Sequence, residues 1–336
     1  DLSFVETAIS NVMQNIEKNS GTILVLESTV YPGVTRKAIH SESRKFNLVD
    51  GEDYFFAYCP ERINPGVGER GISTIKRIVG CDDNNVANLL SDIYSEISLG
   101  ATFVGSPEIA EAAKLIENVQ RDVDIALTNE FAILFSQYGM DVEEVLEAAS
   151  SKWNFHRHKP GIGVGGHCIP VDPYYYLSLF ESFPNLGDSI VSLSRGINNS
   201  MPEYCAGQIF SELKLNQGDT IIVYGYSYKP NVGDIRNTPV EEMVADLENR
   251  GITVEIFDPL CEPGGSDGRV WHTKIDTLRN NYSAIIVATN HDIFQLSPEK
   301  LSKFCPEKRI YDGRRFLVPE RFIDMGWTYC AVGRSQ

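Results

Sequence analysis

A cysteine that follows a glycine-rich run in the middle of the chain has the makings of a covalent catalytic site. Residues 160–175 read Pro-Gly-Ile-Gly-Val-Gly-Gly-His-Cys-Ile-Pro-Val-Asp-Pro-Tyr-Tyr. Because glycines adopt positive φ angles and let a backbone approach a ligand closely, the run could form a cradle. Cys168 follows the cradle, and Asp172 comes four residues later between two stiff prolines. This arrangement predicts a cysteine nucleophile with a nearby carboxylate, acting on a small anionic ligand.

Residues 161–166 also match the dinucleotide-binding pattern G-x-G-x-x-G. That pattern indicates a dinucleotide site only where it connects a strand to a helix. Here a basic run ending in Pro160 precedes it, and we expect the prolines after it to prevent a regular helix from starting there. We therefore interpret the run as part of a site around Cys168. The alternative for Cys168 is a buried structural thiol, a common fate of cysteine.

Composition limits the classes of partner. At 336 residues with 42% hydrophobic residues, the chain predicts about two to three globular domains. The net charge of −16 disfavours nucleic acids and anionic membranes as partners, so an anionic ligand must be met by locally clustered bases. No apolar run approaches the ~18 residues of a membrane span.

The cysteines and histidines indicate a reduced, metal-free protein. Seven cysteines without any C-x-x-C spacing favour free thiols and a cytoplasmic location. His156 and His158 form an H-x-H pair, but no third ligand stands near in sequence, so we expect no metal site.

The stretch before residue 106 alternates strands and helices. We predict strands at residues 22–26, 54–58, 76–80 and 101–104, and helices at 4–19 and 84–97. Such alternation predicts an open parallel sheet, in which ligands bind beyond the carboxyl ends of the strands. Ser28 and Thr29 follow the first strand and Glu61 follows the second, so all three are candidate site residues. Ordinary turn formation is the alternative for these polar residues.

A second alternation begins near residue 219. It predicts strands at residues 220–224, 253–257, 284–288 and 309–311, with a helix at 238–250 that opens on a capping box. Lys229 and Arg236 follow the first of these strands, at a carboxyl end where basic side chains could meet phosphates. A solvated loop is the alternative for this segment.

Between the two alternations the sequence predicts a long helix from Ser106 to Tyr138. At 1.5 Å per residue it would span roughly 45 Å, long enough to form a dimer seam. Lys114 and Asn118 are four residues apart and would share one helical face. Shorter helices are predicted at residues 141–150, 174–180 and 189–213.

The predicted fold is therefore α/β, with two doubly wound Rossmann-like domains joined by a long central helix. We place the domains at residues 1–105, 106–213 and 214–336. A complete dinucleotide domain opens with a strand, its glycine fingerprint and an acidic residue about 20 positions on. This chain begins in a predicted helix with neither feature. We thus expect the first half of the cofactor domain to be absent, which would leave this chain unable to hold its cofactor properly.

The cysteine motif resembles that of the UDP-sugar 6-dehydrogenases. The form His-Cys-Ile-Pro-Val-Asp-Pro at residues 167–173 is most similar to the UDP-N-acetylhexosamine branch. The run G-x-x-Y-K-P-N-x-x-D-x-R at residues 225–236 resembles the family's nucleotide-sugar loop, and further matches extend along nearly the whole chain. The resemblance implies two successive NAD-dependent oxidations of the sugar C6 alcohol to a uronic acid, in the synthesis of surface polysaccharide or glycan precursors.

The resemblance also implies a role for each matching catalytic residue. Cys168 would capture the aldehyde and then form a thioester, while Lys114 and Asn118 would stabilise the developing oxyanion. Asp172 would assist proton transfer or orient water. Glu61, together with Thr29, would position or activate the hydrolytic water.

Binding residues follow from the same resemblance. Cofactor contacts to NAD would come from Ser28, Thr29, Glu61 and Arg236. Contacts to the UDP-sugar would come from Lys152, Lys159, the backbone of Gly163, Gly165 and Gly166, and Lys229. The long helix predicted at residues 106–138 further favours a homodimer or higher homo-oligomer.

Two departures from the family pattern bear on the substrate. Lys152 stands where UDP-glucose enzymes place an arginine, and Pro65 stands where the family pattern has a second acidic residue. Both disfavour UDP-glucose, so UDP-N-acetylmannosamine is the leading substrate, followed by UDP-N-acetylglucosamine. A redox-inactive nucleotide-sugar-binding fragment and a cysteine hydrolase remain as alternatives of other classes.

Overall fold

The computed structural model describes residues 2–63, 71–183, 187–261 and 268–334, which divide into two compact units. The N-terminal unit holds residues 1–119 and 174–183, and the C-terminal unit holds residues 120–173 and 184–336. None of the helices in these described ranges combines the length and the apolar character needed to cross a bilayer. Pro65, the second departure from the family pattern, lies outside the described residues.

A four-stranded sheet is the centre of the N-terminal unit. Its elements are α1 (Ser3–Met13), β1 (Thr22–Leu26), α2 (Val34–Lys45), β2 (Tyr54–Tyr58), β3 (Arg77–Cys81), α3 (Asn84–Ile97) and β4 (Ala101–Gly105). The strands follow the order β1-β2-β3-β4, and apolar residues of α1, α2 and β2 form a buried cluster on the sheet.

One strand pair of this sheet differs from the expected parallel arrangement. β1 pairs with β2 and β3 pairs with β4 in parallel, but β2 and β3 are antiparallel, with Ala57 opposite Cys81. A parallel pair needs a crossover, usually a helix. Between β2 and β3 the described residues contain a single 3₁₀ turn, Ile72–Thr74, and no α-helix. The chain can therefore return antiparallel.

Helix α1 is shorter than predicted, ending at Met13 instead of continuing to Asn19. The Asp53 carboxylate accepts a hydrogen bond from the Asn19 backbone N–H at 2.7 Å and pairs with the Lys18 ammonium at 3.2 Å. Asn19 itself adopts a positive φ of 57°, which is not helical. These contacts with Asp53 therefore hold Lys18 and Asn19 outside the helix, where the sequence predicted its last turns.

Three helices follow. They are α4 (Pro107–Gln137), which starts in the N-terminal unit and ends in the C-terminal unit, α5 (Val142–Ser150) and α6 (Asp172–Phe180). The expectation that no helix starts among the prolines near Cys168 is wrong, because α6 begins at Asp172 with Pro173 in its first turn. Proline is tolerated there since the first helical N–H groups need no intrahelical acceptor.

The C-terminal unit is built on a six-stranded, wholly parallel sheet. Its elements are α7 (Ile190–Glu212), β5 (Thr220–Tyr224), α8 (Pro239–Asn249), β6 (Thr253–Phe257), β7 (Val270–His272), β8 (Ala284–Val287), α9 (Pro298–Leu301), β9 (Arg309–Asp312), α10 (Pro319–Ile323) and β10 (Thr328–Ala331). The order β10-β9-β8-β5-β6-β7 is that of a Rossmann sheet, with its switch point between β5 and β8.

The predicted α/β fold class is confirmed. Sequence reasoning missed β7 and β10, which are only three and four residues long. The division into three domains at residues 105 and 213 stays a prediction.

Candidate active site

Three predicted site residues lie at the edge of the N-terminal sheet where β1 and β2 end. Ser28 and Thr29 follow β1, and Glu61 follows β2. Because these strands are parallel and in register from Thr22 opposite Tyr54, their carboxyl ends meet at one edge. Ser28 is exposed, whereas Thr29 is half-buried. The structure thus brings together the three residues predicted there.

Glu61 is held by hydrogen bonds to both of its oxygens. Oε1 accepts from the backbone N–H groups of Arg62 at 2.6 Å and Ile63 at 2.7 Å, and Oε2 pairs with the Arg77 guanidinium. Burial alone would raise the pKa of Glu61, but these N–H donors and the Arg77 charge outweigh it and hold that pKa below the ordinary 4.5. Glu61 is therefore an ionised hydrogen-bond acceptor at neutral pH.

Sequence reasoning missed Arg77, the cation beneath this edge. Arg77 is 2% exposed, and its guanidinium also donates to Glu27 at 2.7 Å and to the Cys59 carbonyl at 3.2 Å. Its Cζ lies 4.8 Å from the centroid of the Tyr94 ring. The signal in the sequence was an arginine opening a buried apolar strand, since a fully buried arginine requires charged partners.

Lys114 and Asn118 lie on the part of α4 that belongs to the N-terminal unit, where the helical spacing places them on one face. Glu111, one turn before Lys114, accepts from the backbone N–H groups of Gly33 at 2.6 Å and Thr35 at 2.8 Å. Those groups open α2, so Glu111 fastens α4 to that helix start. Lys114 is buried at 7% exposure.

The edge of the N-terminal sheet fits one end of a dinucleotide better than the other. The hydroxyls of Ser28 and Thr29 and the Glu61 carboxylate suit the polar reactive end. A pyrophosphate prefers the unpaired N–H groups of a helix start. Those of α2 already bond Glu111, and those of α3 bond the Asp83 side chain at 2.8 and 3.0 Å. At each of these two helix starts, a carboxylate of the protein therefore already occupies N–H groups that a pyrophosphate would use.

Cys168 is the exposed thiol of the chain, whereas the other six cysteines are buried and none forms a disulfide. Its carbonyl accepts from the backbone N–H groups of Val171 at 3.1 Å and Asp172 at 2.8 Å. Asp172 is 2% exposed and opens α6. One tight turn therefore connects the predicted nucleophile to the predicted carboxylate.

The glycines before Cys168 allow close packing against another loop of the C-terminal unit. A Cβ at Gly165 would lie 2.7 Å from the Asn237 carbonyl oxygen and 2.7 Å from the Tyr228 Cβ. Gly166 has a φ of 90°, and a Cβ there would lie 2.7 Å from the Tyr228 ring. At both positions the packing of these two loops against each other requires glycine, in addition to any contact that a ligand makes.

That second loop, residues 225–237, begins at the switch point of the parallel sheet. Gly225 follows β5 with a φ of 82°, and a Cβ there would lie 2.2 Å from the Thr289 carbonyl oxygen. The Asp258 carboxylate, which follows β6, accepts from the backbone N–H groups of Tyr226 at 2.8 Å and Ser227 at 3.2 Å. His291 Nε2 lies 3.1 Å from the same carboxylate.

Two predicted basic residues lie on this loop. Lys229 is half-buried, its ammonium 5.5 Å from the centroid of the Tyr228 ring, and burial lowers its pKa. Arg236 is exposed and pairs with Asp234 at 2.6 Å. The structure therefore places both cations at the carboxyl end of β5, as predicted.

The other two predicted lysines are exposed. Lys152 follows the end of α5, and the Lys159 ammonium donates to the Arg315 carbonyl at 3.3 Å. Within the described ranges, no group of three or more His, Cys, Asp or Glu side chains could hold a metal ion.

A buried polar chain, also missed from the sequence, supports the start of the cysteine loop. The Asn129 side-chain oxygen accepts from the Gly161 backbone N–H at 3.0 Å, and its amide nitrogen donates to Asn198 at 3.0 Å. Asn198 in turn donates to Asp122 at 2.8 Å. The two asparagines therefore fix the position at which the glycine run begins.

Family models match three consecutive parts of the chain. The NAD binding domain of the UDP-glucose/GDP-mannose dehydrogenase family matches residues 1–98, its central domain residues 108–200, and its UDP binding domain residues 222–319. The chain belongs to the UDP-glucose/GDP-mannose dehydrogenase family. The resemblance of the cysteine motif is thereby confirmed.

Relatives with an assigned activity are similar over nearly the whole chain. A UDP-N-acetyl-D-glucosamine 6-dehydrogenase of Salmonella typhi is 36% identical over 91% of this chain and 74% of its own length. A UDP-N-acetyl-D-mannosamine dehydrogenase of Pyrococcus horikoshii is 34% identical over 100% of this chain and 78% of its own. A solved structure described as the UDP-D-ManNAc dehydrogenase of that organism superposes with a TM-score of 0.86 at 33% identity, covering 99% and 77%.

Membership of the family makes this protein an NAD-dependent UDP-sugar dehydrogenase, so the predicted enzyme class, cofactor and nucleotide-sugar substrate are confirmed. The NAD-domain match starts at residue 1. The comparisons therefore do not support the expectation that the first half of that domain is absent. The roles of individual site residues stay predictions.

Proposed function

We propose that this enzyme oxidises a UDP-N-acetylhexosamine at C6 to the uronic acid through a thioester on Cys168, with UDP-N-acetyl-D-mannosamine as the favoured substrate. The observation that carries the proposal is the exposed Cys168 thiol, which lies on a loop packed against residues 225–237 of the UDP binding domain. The mannosamine and glucosamine activities of the relatives support the acetylated sugar class.

Cys168 performs the covalent step. NAD⁺, when bound, supplies the oxidant for each of the two oxidations by accepting a hydride from C6. The Cys168 thiolate adds to the C6 aldehyde and forms a carbon–sulfur bond, giving a thiohemiacetal. Loss of a hydride from C6 and of the adduct's hydroxyl proton to solvent leaves a thioester. Water then attacks the C6 carbon, the carbon–sulfur bond breaks, and the uronic acid leaves while the thiol is restored.

Five other residues assist these reaction steps through their charge and position. Lys114 and Asn118 stabilise the oxyanion that develops at C6. Asp172, one turn after Cys168, assists proton transfer. Glu61, ionised and fixed, orients the hydrolytic water together with Thr29.

Binding groups complete the proposal. NAD is held by Ser28, Thr29, Glu61 and Arg236, and the UDP-sugar by Lys152, Lys159, the backbone of Gly163, Gly165 and Gly166, and Lys229. The position of residues 225–237 at the switch point supports nucleotide-sugar binding, because ligands of such sheets bind there.

We also propose a homodimer or higher homo-oligomer. The second part of α4, the residue directly after it and the start of α7, all in the C-terminal unit, expose large apolar side chains: Leu127, Leu134, Tyr138, Ile190 and Leu193. Leu127 and Leu134 are one heptad apart and share a face. Such an unpartnered apolar stripe supports self-association. A cytoplasmic location stays a prediction, supported by the seven free thiols.

NADH yield tests the reaction and the substrate together. The enzyme is mixed with limiting UDP-N-acetylmannosamine, UDP-N-acetylglucosamine or UDP-glucose, and NADH is counted per sugar consumed. We expect two NADH per UDP-N-acetylmannosamine. Two NADH with UDP-N-acetylglucosamine or UDP-glucose instead would reassign the sugar, and binding without NADH would leave a redox-inactive binding protein.

Replacing the nucleophile tests the thioester. Cys168→Ser removes the thiol, so the second oxidation should stall and the acid yield should fall by at least about a hundredfold. His167→Gln, on the same exposed turn, is the matched control and should still give two NADH per sugar. Normal acid formation by Cys168→Ser would show that no thioester is needed.

A further inference from the structure

Arg77 carries a full positive charge in the interior of the N-terminal unit. An arginine keeps its proton at any working pH, and an uncompensated buried charge costs several kcal/mol. The guanidinium is compensated on two sides by carboxylates, with Glu27 at 2.7 Å and Glu61 paired to its other nitrogen. Its two ion pairs therefore connect the residue after β1 to the segment after β2.

The antiparallel strand explains how this cation reaches the catalytic edge. In a parallel sheet the first residue of a strand lies at the amino edge, remote from the ligand edge. Because β3 is antiparallel to β2, its first residue, Arg77, lies at the edge where β1 and β2 end. The one antiparallel pairing among the described strands of this sheet thus places the charge beside Glu61.

The contacts of Glu61 leave it little freedom. A carboxylate offers about four acceptor sites, and three of those on Glu61 are used by the described donors: the N–H groups of Arg62 and Ile63 and the Arg77 guanidinium. The side chain is nevertheless 41% exposed, so the remaining acceptor site is accessible to water. A rigid acceptor with one open site suits the orientation of a water molecule.

We propose that Arg77 is a positioning residue that locks Glu61 as an ionised, singly available acceptor and thereby sets the acid limit of thioester hydrolysis. The inference rests on the proposed role of Glu61. It assigns to Arg77 no contact with substrate or cofactor. An arginine with a purely structural role would hold the strands together without changing the titration of Glu61.

Other charged groups around Glu61 define what a variant changes. The titratable and charged neighbours within the described part of the unit are Arg62, Arg77, Glu27, Cys59, Tyr94 and Glu117. Arg62 is paired with Glu117, Tyr94 donates to Glu27, and burial raises the pKa of the Cys59 thiol. Arg77 is therefore the cation whose loss most directly exposes Glu61 to protonation.

The decisive variant is Arg77→Met, with Arg77→Lys as the conservative rescue. Loss of an adjacent opposite charge raises the pKa of a carboxylate, and solvent screening moderates the effect for a side chain as exposed as that of Glu61. The acid limb of kcat should therefore move to higher pH in Arg77→Met, and thioester should accumulate on Cys168. In Arg77→Lys the limb should lie close to that of the wild type. The KM for the UDP-sugar should stay within about twofold, because Arg77 makes no ground-state contact.

A second readout needs neither substrate nor cofactor. Carboxyl ¹³C resonances of glutamate-labelled protein, with the Glu61 signal assigned by Glu61→Gln, report the titration of Glu61 directly. The Glu61 midpoint should rise in Arg77→Met by the same interval as the acid limb. An unchanged midpoint in folded Arg77→Met would overturn the proposal.

Glu27→Gln keeps the test decisive if Arg77→Met does not fold. Removing the competing carboxylate leaves the Arg77 charge undivided on Glu61, so the Glu61 midpoint should fall. A rise would contradict the proposal. The wild type could form two NADH and acid while the Glu61 titration midpoint is the same in both variants as in the wild type. In that case the proposal on Arg77 fails and the proposed function stands. If the wild type forms no acid, the function fails while the titration result still decides the Arg77–Glu61 coupling.

Discussion

Glu27 and Asp258 occupy the same place in two different sheets, since each is the first residue after a parallel strand, β1 or β6. Their environments are opposite. The side chain of Glu27 is 44% exposed above a buried arginine, whereas that of Asp258 is fully buried and accepts backbone N–H groups of the neighbouring loop. At this position the N-terminal unit buries the cation Arg77, whereas the C-terminal unit buries the anion Asp258.

The sign of the buried charge decides whether the carboxylate after the strand is open to a ligand or holds the protein structure. A buried cation leaves Glu27 and Glu61 at the surface, where a carboxylate can meet water or a ligand. A buried anion has its acceptor sites taken by the protein, so Asp258 shapes the loop that carries Lys229 and is unavailable to a ligand. The same fold position can therefore provide a working group or an anchor, depending on which sign of charge is buried.

Removing the buried anion should have the largest effect on stability. The Asp258 carboxylate accepts from the backbone N–H groups of Tyr226, Ser227 and Leu260 and lies beside His291. Asp258→Asn removes the charge from these contacts, so we expect a loss of about 3 kcal/mol in the free energy of unfolding at pH 7. Glu27→Gln should cost less than this, because the Glu27 side chain is exposed and Arg77 keeps its ion pair with Glu61. Urea unfolding measures both, with the exposed Asp324→Asn as the control. Equal losses at Asp258 and Glu27 would break the comparison.

The pH dependence of Asp258→Asn follows from its pKa. Burial opposes ionisation, but the His291 and backbone hydrogen bonds hold the Asp258 pKa well below its ordinary 3.8. A carboxyl whose pKa is lowered by folding contributes stability above its ordinary pKa and loses it as the pH falls. The gap between wild type and variant should therefore narrow below about pH 4. A gap that widens there would be inconsistent with this assignment.

Adding a methyl group at Gly165, which packs against the loop at residues 225–237, should have an intermediate effect on the free energy of unfolding. In Gly165→Ala the new Cβ meets the Asn237 carbonyl oxygen at 2.7 Å, and overpacking of this kind costs about 1–3 kcal/mol. Gly196→Ala is the matched control, because this exposed glycine of α7 has no atom within 4 Å of an added Cβ and should gain up to about 1 kcal/mol. A neutral Gly165→Ala would show that the two loops separate easily.

The smallest effect on stability is expected at Arg236. Its pair with Asp234 is exposed, so Arg236→Ala should leave the urea midpoint unchanged within error. If Arg236 holds NAD, the KM for NAD⁺ should still rise about tenfold, the loss expected for one charge-assisted hydrogen bond. Arg250→Ala, which breaks a comparable surface pair, should change neither quantity. An unchanged KM in Arg236→Ala would remove Arg236 from the cofactor site.

Strand positions were predictable because buried parallel strands read as short apolar runs. Four predicted strands, at residues 22–26, 54–58, 220–224 and 253–257, coincide with β1, β2, β5 and β6. Site residues that follow such strands, including Glu61 and Lys229, were found by the same reasoning. Each depends on local pattern alone.

The missed features depend on contacts between residues distant in sequence. Arg77 matters because β3 runs antiparallel, and the early end of α1 depends on Asp53, 34 residues after Asn19. Asn129 is an ordinary helical position until Gly161 folds against it. No local pattern carries this information, since the deciding partner is supplied by tertiary structure.

The accessibility of Cys168 gives the native protein a natural chemical handle. A thiol-directed dye or affinity tag added to the folded chain meets one sulfur at the surface, because the other six are buried. No cysteine needs to be removed by mutagenesis to obtain a uniquely tagged sample. The same exposure makes Cys168 the cysteine that an electrophile or oxidant in solution would reach first.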